Sequence, residues 1–214
     1  MAKLFESPHY IAVEGPIRVG KSTLSSILAE RMHAQRLAEP EDNAFLRAFY
    51  DGERGAAFQA QFAFLVRRYE QLKALDVGPA SRNVVIADYI FEKDKIFACL
   101  NLTDPELEIY NRYYNLFREQ VPTPDLVIYL QAAPEYLAER VRRRAVEFER
   151  GISTDYLAVL AEQYGRFFYQ YNASPVLIVN TERLNFADND RDLNLLIERL
   201  AGMRGGREFF NFGD

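Results

Sequence analysis

Short apolar runs alternate with longer segments of helical periodicity along this chain. Five short runs predict strands, at residues 10–13, 36–39, 83–88, 126–130 and 176–179. Apolar positions spaced three and four residues apart predict helices at 21–34, 43–50, 56–75, 105–120, 135–149, 155–171 and 190–203. Strands that alternate with helices typically form a parallel sheet between two helical layers. The pattern therefore predicts an α/β fold with a five-stranded, mainly parallel sheet.

The end of the chain does not fit this alternation. After Gly205 the sequence contains Phe209, Phe210 and Phe212. This composition is typical either of a frayed end or of an aromatic tail that docks on this fold or on a partner. No repeat, low-complexity tract or linker interrupts the rest of the pattern, so we expect one domain over residues 1–214.

Composition and charge exclude several classes of protein. The 214 residues are 49% hydrophobic and carry a net charge of −5, which disfavours an electrostatic nucleic-acid or membrane-surface binder. A single cysteine, Cys99, allows no intrachain disulfide, and two histidines make a Cys/His zinc cluster implausible. The first ten residues lack the apolar core of a signal peptide, and no apolar run approaches the length of a membrane span. We expect a cytoplasmic protein without a nucleic-acid or membrane partner.

A phosphate-binding loop follows the first predicted strand and precedes the first predicted helix. Its residues are Gly15, Pro16, Ile17, Arg18, Val19, Gly20, Lys21, Ser22 and Thr23. The first eight satisfy G-x-x-x-x-G-K-[ST], in which backbone N–H groups wrap a phosphate, the lysine reaches the β and γ oxygens and the serine holds Mg²⁺. The loop therefore predicts binding of ATP with Mg²⁺. The chain has no N-K-x-D segment, which a GTPase would need to read guanine.

Two further charged features belong to the same prediction. Asp88 ends the third predicted strand, where an acid serves the Mg²⁺ side of the site, positions a base, or only caps a helix. An arginine-rich helix precedes Gly151 and contains Arg140, Arg142, Arg143 and Arg144. Such a run is either a solvated face or a lid, over about 140–151, whose arginines neutralise the charge of the transferring phosphoryl group.

These features together resemble the deoxynucleoside kinase family, the group of deoxycytidine, deoxyguanosine and deoxyadenosine kinases. Five blocks match in order between residue 10 and about residue 180. They are the phosphate loop, Glu39-Pro40, residues 58–62 through Arg68, residues 122–130, and Arg140 to Arg144 followed by 149–152 and 156–157. The resemblance implies an α/β P-loop kinase fold with an arginine-rich lid. It also implies transfer of the γ-phosphate of ATP to the 5′-hydroxyl of a deoxynucleoside, in a homodimer.

The resemblance assigns roles to individual residues. Glu39 would be the general base, with Lys21, Asp88, Arg140 and Arg144 as the other catalytic residues, and Ser22 and Asp88 would face the metal. Tyr50 and Glu149 would hold the sugar 3′-hydroxyl. Gln61, with Gln59 as the competing candidate, would bind the base edge, and Phe64 or Phe91 would stack on the base unless they are core. Arg68 and Asp94 would form a couple at the floor of the base pocket, which implies that purine deoxynucleosides or deoxycytidine are favoured over thymidine.

The sequence departs from the family pattern at three places. Arg18 stands where relatives usually carry a glycine, and Val146 stands where they carry a third lid arginine. Tyr89 occupies the position of an arginine that, in the family, holds the substrate 5′-oxygen and the general-base glutamate in place. Lys93, Lys95 or a lid arginine would have to replace that cation.

Two other functions stay open at this point. A nucleoside-monophosphate kinase, for example one that acts on thymidylate, would need an extra arginine for the acceptor phosphate, beside which Glu39 would be unfavourable. A non-catalytic relative could bind nucleotide as a subunit of a larger assembly. The replacement of the arginine after Asp88 favours that reading, whereas Lys21, Ser22 and Glu39 count against it.

Overall fold

Six strands form the central sheet of the protein in a computed structural model that describes residues 9–40, 42–78, 81–144 and 151–211. The strands are β1 Tyr10–Glu14, β2 Gln35–Leu37, β3 Val85–Ala87, β4 Leu126–Gln131, β5 Val176–Asn180 and β6 Arg207–Phe210. Their order is β2-β3-β1-β4-β5-β6, and every neighbouring pair is parallel. The carboxyl ends of all six strands therefore meet at one edge of the sheet, where open parallel sheets bind ligands.

Eight helices are seen in the described ranges. They are α1 Lys21–Arg31, α2 Leu46–Tyr50, α3 Ala56–Lys73, α4 Lys93–Asn101, α5 Asp104–Arg118, α6 Pro134–Arg144, α7 Thr154–Gln170 and α8 Asp190–Gly202. Residues of α1, α6 and α8 pack in one apolar cluster with the sheet, and residues of α3, α4, α5 and α7 pack mainly in a second. Both faces are thus covered, as the alternating pattern predicts. Across the same ranges, no helix combines the length and apolarity that a membrane span requires.

The sequence prediction of five strands was one strand short. The sixth, β6, pairs with β5 through Val176–Arg207 and the three following residue pairs. Phe210 is buried against the core while Phe209 is 56% exposed, so the described part of this aromatic tail docks on its own sheet. Phe212 lies outside the described residues. A run of four residues with one buried side chain is too short to give a strand signal by itself.

Helix α4 was also missed by the sequence analysis. It is nine residues long, which is less than the length at which helical periodicity becomes distinct. Its first turn brings Lys93 and Asp94 to the carboxyl edge of the sheet, and both side chains are buried. The short helix therefore carries two charged groups into the region of the phosphate loop.

Candidate active site

A cavity of about 740 Å³ opens at the carboxyl edge of the sheet. Two groups of residues line it. The first surrounds the phosphate loop and consists of residues 17–24, Arg140, Arg144, Thr181 and 184–187. The second contains the polar and aromatic residues Glu39, Tyr50, Gln61, Phe64, Arg68, Lys93 and Phe97. One cavity therefore contains both the phosphate loop and a pocket of the composition that a nucleobase and a sugar would need.

The phosphate loop has the conformation that its glycines allow. Gly15 approaches β4 so closely that a Cβ atom there would lie 2.3 Å from the Leu130 carbonyl oxygen. Gly20 has φ of 112°, in the region that favours glycine, and α1 begins directly after it. Lys21 Nζ donates to the carbonyl oxygens of Gly15 at 2.8 Å and Pro16 at 3.1 Å. Gly15 and Pro16 thus hold the lysine, while residues 17–23 face the cavity.

The two predicted metal-facing residues lie in different environments. Ser22 is exposed on the cavity wall, and its hydroxyl fits a Mg²⁺ ion that is otherwise held by phosphate oxygens and water. Asp88 is buried behind the wall, with Oδ1 accepting from the Glu39 backbone N–H at 2.5 Å and Oδ2 from Arg36 Nη2 at 3.2 Å. Both oxygens of Asp88 accept hydrogen bonds and the residue does not line the cavity, which supports the role of positioning Glu39. Contact of Asp88 with a metal stays a prediction.

Glu39 lies between two cations. Its Oε1 accepts from Arg68 Nη2 at 2.5 Å, and its Oε2 accepts from Lys93 Nζ at 2.6 Å. Burial alone would raise the pKa of Glu39, but Lys93, Arg68 and Lys21 outweigh it and hold that pKa well below its usual range. Glu39 is therefore a carboxylate at every physiological pH and can accept a proton.

Arg68 connects this carboxylate to the predicted floor of the pocket. Its Nη1 donates to Asp94 Oδ1, and its guanidinium lies 4.6 Å from the centroid of the Phe64 ring. Burial raises the pKa of Asp94 to about 6, even though the charge of Arg68 opposes the shift, so Asp94 is ionised at neutral pH. Arg68 Nε and Asp94 Oδ2 are buried and have no hydrogen-bond partner among the described residues. The predicted couple exists, and it keeps one donor and one acceptor unused.

Of the other residues predicted to bind the nucleobase, some line the cavity and some do not. Gln61 is 5% exposed and lines the cavity, and its amide makes no hydrogen bond with any residue in the described ranges. Gln59 is exposed and does not line the cavity. Phe64 lines it, whereas Phe91 is buried in the core and stacks on Tyr114 with centroids 5.2 Å apart.

Tyr50 and Glu149 were predicted as a pair, and only one of them can be placed. Tyr50 ends α2 and lines the cavity. Glu149, like Val146, lies outside the described residues. The pairing of Tyr50 with Glu149 on a sugar hydroxyl stays a prediction.

The two lid arginines differ in what they contact. Arg140 Nη1 donates to the Val19 carbonyl oxygen at 3.0 Å, and its Nη2 donates to the Thr181 carbonyl oxygen at 2.9 Å. Arg140 thus ties the phosphate loop to the segment after β5. Arg144 is exposed at the cavity wall and forms no ion pair or hydrogen bond in the part of the chain described here. Its guanidinium is available to a ligand in the cavity.

Sequence reasoning missed two buried groups beside the loop. Glu14 is fully buried and accepts from the backbone N–H groups of Gly15 and Ile90 and from the Tyr164 hydroxyl. Burial raises the pKa of Glu14 against the opposing charges of Lys93 and Lys21. An acid at the end of an apolar strand was the available signal for Glu14. Thr181 had no signal, because its contact with Arg140 spans 41 residues.

Lys21 should take up a proton when ATP binds. Burial lowers the pKa of Lys21 to about 8, and the nearby charge of Lys93 adds to the shift. At pH 8 about half of the side chains are then neutral, and bound phosphates raise the pKa again because they stabilise the ammonium. Titration calorimetry of ATP binding at pH 8, in two buffers of different ionisation enthalpy, should give different heats.

The control for this experiment is the variant Lys21→Arg, whose side chain stays charged over the whole range. We expect its binding heat to depend much less on the buffer. Equal heats in both buffers for the native protein would show that Lys21 is already fully protonated at pH 8.

Comparison with known proteins agrees with this geometry. The deoxynucleoside kinase family model matches residues 11–203. The deoxyguanosine kinase of Bacillus subtilis is 36% identical over 90% of this chain and 94% of its own, and the deoxyadenosine kinase of Lactobacillus acidophilus is 32% identical over 84% and 88%.

A solved structure shares the same architecture. The deoxyadenosine kinase from M. mycoides, determined with the products dCMP and dCDP bound, superimposes with a TM-score of 0.75 at 26% identity, over 89% of this chain and 97% of that one. The phosphate loop, the order of strands and helices and these relatives lead to one assignment: the chain belongs to the deoxynucleoside kinase family.

Proposed function

We propose that this protein transfers the γ-phosphate of ATP to the 5′-hydroxyl of a deoxynucleoside, a reaction of nucleotide salvage. The observation that carries the proposal is the position of Glu39. Its carboxylate lies in the same cavity as Lys21 of the phosphate loop and Gln61 of the base pocket. An ionised carboxylate between a donor site and an acceptor site is where a hydroxyl must be held for in-line attack.

The donor would be bound by the phosphate-loop side of the cavity. Backbone N–H groups of the loop and Lys21 would hold the β- and γ-phosphates, and Ser22 would contact the Mg²⁺ ion. Mg²⁺ supplies charge neutralisation on the phosphates when it is bound. Arg144, which has no ion pair among the described residues, would contact the phosphates, and Arg140 would hold the loop against the segment after β5.

The acceptor would be bound by the second group of residues. Gln61 presents an amide that donates and accepts, which suits the edge of a base. Phe64 would stack on the base, while Tyr50 and Glu149 would hold the 3′-hydroxyl. Asp94 Oδ2 and Arg68 Nε, both buried and without a hydrogen-bond partner in the described part of the chain, would supply one further acceptor and one further donor.

A nucleoside-monophosphate kinase is the less favourable alternative. Glu39 stays ionised in the cavity, so an acceptor phosphate beside it would be repelled. The relatives named above are a deoxyguanosine kinase and deoxyadenosine kinases. A non-catalytic subunit is disfavoured as well, because Lys21, Ser22 and Glu39 all face the cavity.

The test of this function is a panel of acceptors. ADP release from ATP and Mg²⁺ is measured with each deoxynucleoside and, separately, with each 5′-monophosphate. We expect turnover with at least one deoxynucleoside and none with the monophosphates. Turnover with thymidylate alone would establish the alternative kinase, and no turnover with any acceptor would establish a non-catalytic relative.

The base preference is a second prediction of the acceptor panel. The Arg68–Asp94 couple occupies the pocket floor with two charged groups, which would contact the amino or carbonyl edge of a base and leave little room for a thymine methyl. We expect deoxyadenosine, deoxyguanosine or deoxycytidine to have a much higher kcat/KM than thymidine. Replacing the couple by neutral, smaller groups, in Arg68→Met with Asp94→Ala, should raise the relative use of thymidine.

The exposed Arg67, which pairs with Asp42 at the surface, offers the matched control. Arg67→Met should leave the preference unchanged. Thymidine as the best substrate of the native protein would contradict the assignment, and an unchanged ratio in the double variant would place selectivity elsewhere.

The proposal also covers domain organisation, cellular location and oligomeric state. We expect one domain over residues 1–214, a cytoplasmic location, which suits a chain with one cysteine, and a homodimer. The side chains of Ile109, Tyr113 and Leu116 lie on one face of α5 and are 45–55% exposed. This apolar face supports association of two copies, and light scattering after size-exclusion chromatography measures it.

A further inference from the structure

Lys93 is a buried lysine that faces the cavity. It is the first residue of α4, and its Nζ lies 2.6 Å from Glu39 Oε2 and 5.5 Å from the centroid of the Phe97 ring. Within the described ranges, Glu39 is its one hydrogen-bond or ion-pair partner. An ammonium carries three N–H groups, so two donors of Lys93 have no acceptor among the residues that the structure describes. A buried cation at a cavity wall, with donors that are not used by the protein, can bind an anionic ligand in the cavity.

The two cations that hold Glu39 are not equivalent. Arg68 is fixed from the other side by Asp94 and cannot follow a ligand without leaving that partner. Lys93 has no second partner in the described structure, and its ammonium sits on a flexible four-carbon stem. When an incoming hydroxyl takes its place at Glu39, Lys93 is therefore the cation that can shift and still stay in contact.

The other neighbour of Lys93 is the phosphate loop. The charge of Lys93 contributes to the lowered pKa of Lys21, after the larger effect of burial. Two buried ammonium groups in one cavity repel each other, and a bound polyanion turns that repulsion into attraction. Lys93 therefore contacts the general base, Glu39, on one side. On the other side, it is close enough to the phosphate loop for its charge to attract the donor phosphates.

Among the described residues, neither Tyr89 nor the candidates other than Lys93 named above for the missing cation contact Glu39. Tyr89 is fully buried, and its hydroxyl donates to Gln71 at 2.7 Å, away from the carboxylate. Lys95 is exposed, and its Nζ lies over the Tyr114 ring outside the cavity. Arg140 is occupied by Val19 and Thr181. Besides Arg68, the cation that contacts the Glu39 carboxylate in the described residues is Lys93.

We propose that Lys93 is a catalytic residue whose ammonium bridges Glu39 and an equatorial oxygen of the transferring phosphoryl group. In the step, the substrate 5′-oxygen forms a bond to the γ-phosphorus while the bond from that phosphorus to the β,γ-bridging oxygen breaks. ADP leaves with the electron pair, the hydroxyl proton passes to Glu39, and Lys93 keeps its three protons. Lys93 thus stabilises charge in the transition state and holds Glu39 toward the attacking oxygen.

This inference rests on the proposed function, and its test compares variants of the full-length protein at saturating ATP and nucleoside. Lys93→Met should lower kcat by about 100- to 1,000-fold, as the loss of one preorganised electrostatic donor does. Its dissociation constant for the deoxynucleoside should change little, because Gln61 and Arg68 remain. Lys93→Arg should recover part of kcat. The matched control is Lys95→Met, two residues along α4, with native kcat.

A double variant separates catalysis from mere support of the fold. If Lys93 and Glu39 act on one step, Lys93→Met with Glu39→Gln should lose about as much kcat as the worse single variant. Native kcat in Lys93→Met, or no recovery in Lys93→Arg together with additive losses in the double variant, would overturn the proposal. Turnover by the native protein reports separately on the proposed function, since it does not depend on any of these variants.

Discussion

Glu39→Gln should lower kcat by about 100- to 10,000-fold, the usual contribution of a general base. Glutamine keeps the shape of the side chain but cannot accept the hydroxyl proton, so deoxynucleoside binding should change little. Steady-state kinetics with the best deoxynucleoside give kcat, and calorimetry gives the dissociation constant. The thermal unfolding midpoint should be recorded as well, because the substitution leaves Lys93 without its carboxylate partner.

The matched control for this variant is Glu92→Gln. Glu92 is also a largely buried glutamate paired with an arginine, Arg118, but it does not line the cavity. We expect it to keep native kcat even if its stability falls. A Glu39→Gln protein with native kcat on every deoxynucleoside would show that the base is a different group.

Lys21→Ala should be the most damaging change on the donor side. Its ammonium is held toward the loop by the Gly15 and Pro16 carbonyl oxygens, and it is the buried cation of the loop itself. Removal of one charged donor from a preorganised site costs about 100- to 1,000-fold in rate. We expect that loss in kcat/KM for ATP, with little change in the binding of the deoxynucleoside alone.

Lys73→Ala serves as the control for charge. Lys73 is an exposed lysine on α3, and its Nζ contacts Tyr69 and Gln120 outside the cavity. It should behave as the native protein does. A Lys21→Ala variant that loses nucleoside affinity while kcat/KM for ATP stays native would place this lysine on the acceptor side.

The parts of the fold that the sequence predicted are those with local signals. The glycines of the loop, the apolar runs of β1, β3, β4 and β5, and the periodicity of the long helices each lie within one short window. The alternation of strands and helices along the chain also predicts that neighbouring strands pair in parallel. Helix α4 and strand β6 were missed because nine and four residues carry too few positions to show a period.

In the candidate site, too, the residues with a local sequence signal were predictable and the others were less so. Lys21 and Ser22 belong to a contiguous motif, so their location was predictable. The pairs that set the chemistry join distant positions: Arg68 and Asp94 are 26 residues apart, and Lys93 and Glu39 are 54 apart. The resemblance to the family implied the first pair, whereas composition alone did not distinguish Lys93 from Lys95 as the cation beside the general base, Glu39. Nor could the sequence indicate that both oxygens of Asp88 accept hydrogen bonds, from the Glu39 backbone N–H and from Arg36. Contact of Asp88 with a metal stays a prediction.

The central claim is that one cavity binds ATP and a deoxynucleoside, with Glu39 between them, and transfers the γ-phosphate to the 5′-oxygen. The most direct measurement is analysis of the product by mass spectrometry and phosphorus NMR, with ADP measured in the same sample. The account predicts one deoxynucleoside 5′-monophosphate for each ADP. ADP formed without phosphorylated nucleoside, a phosphate at the 3′-oxygen, or conversion of an added monophosphate to a diphosphate would contradict it.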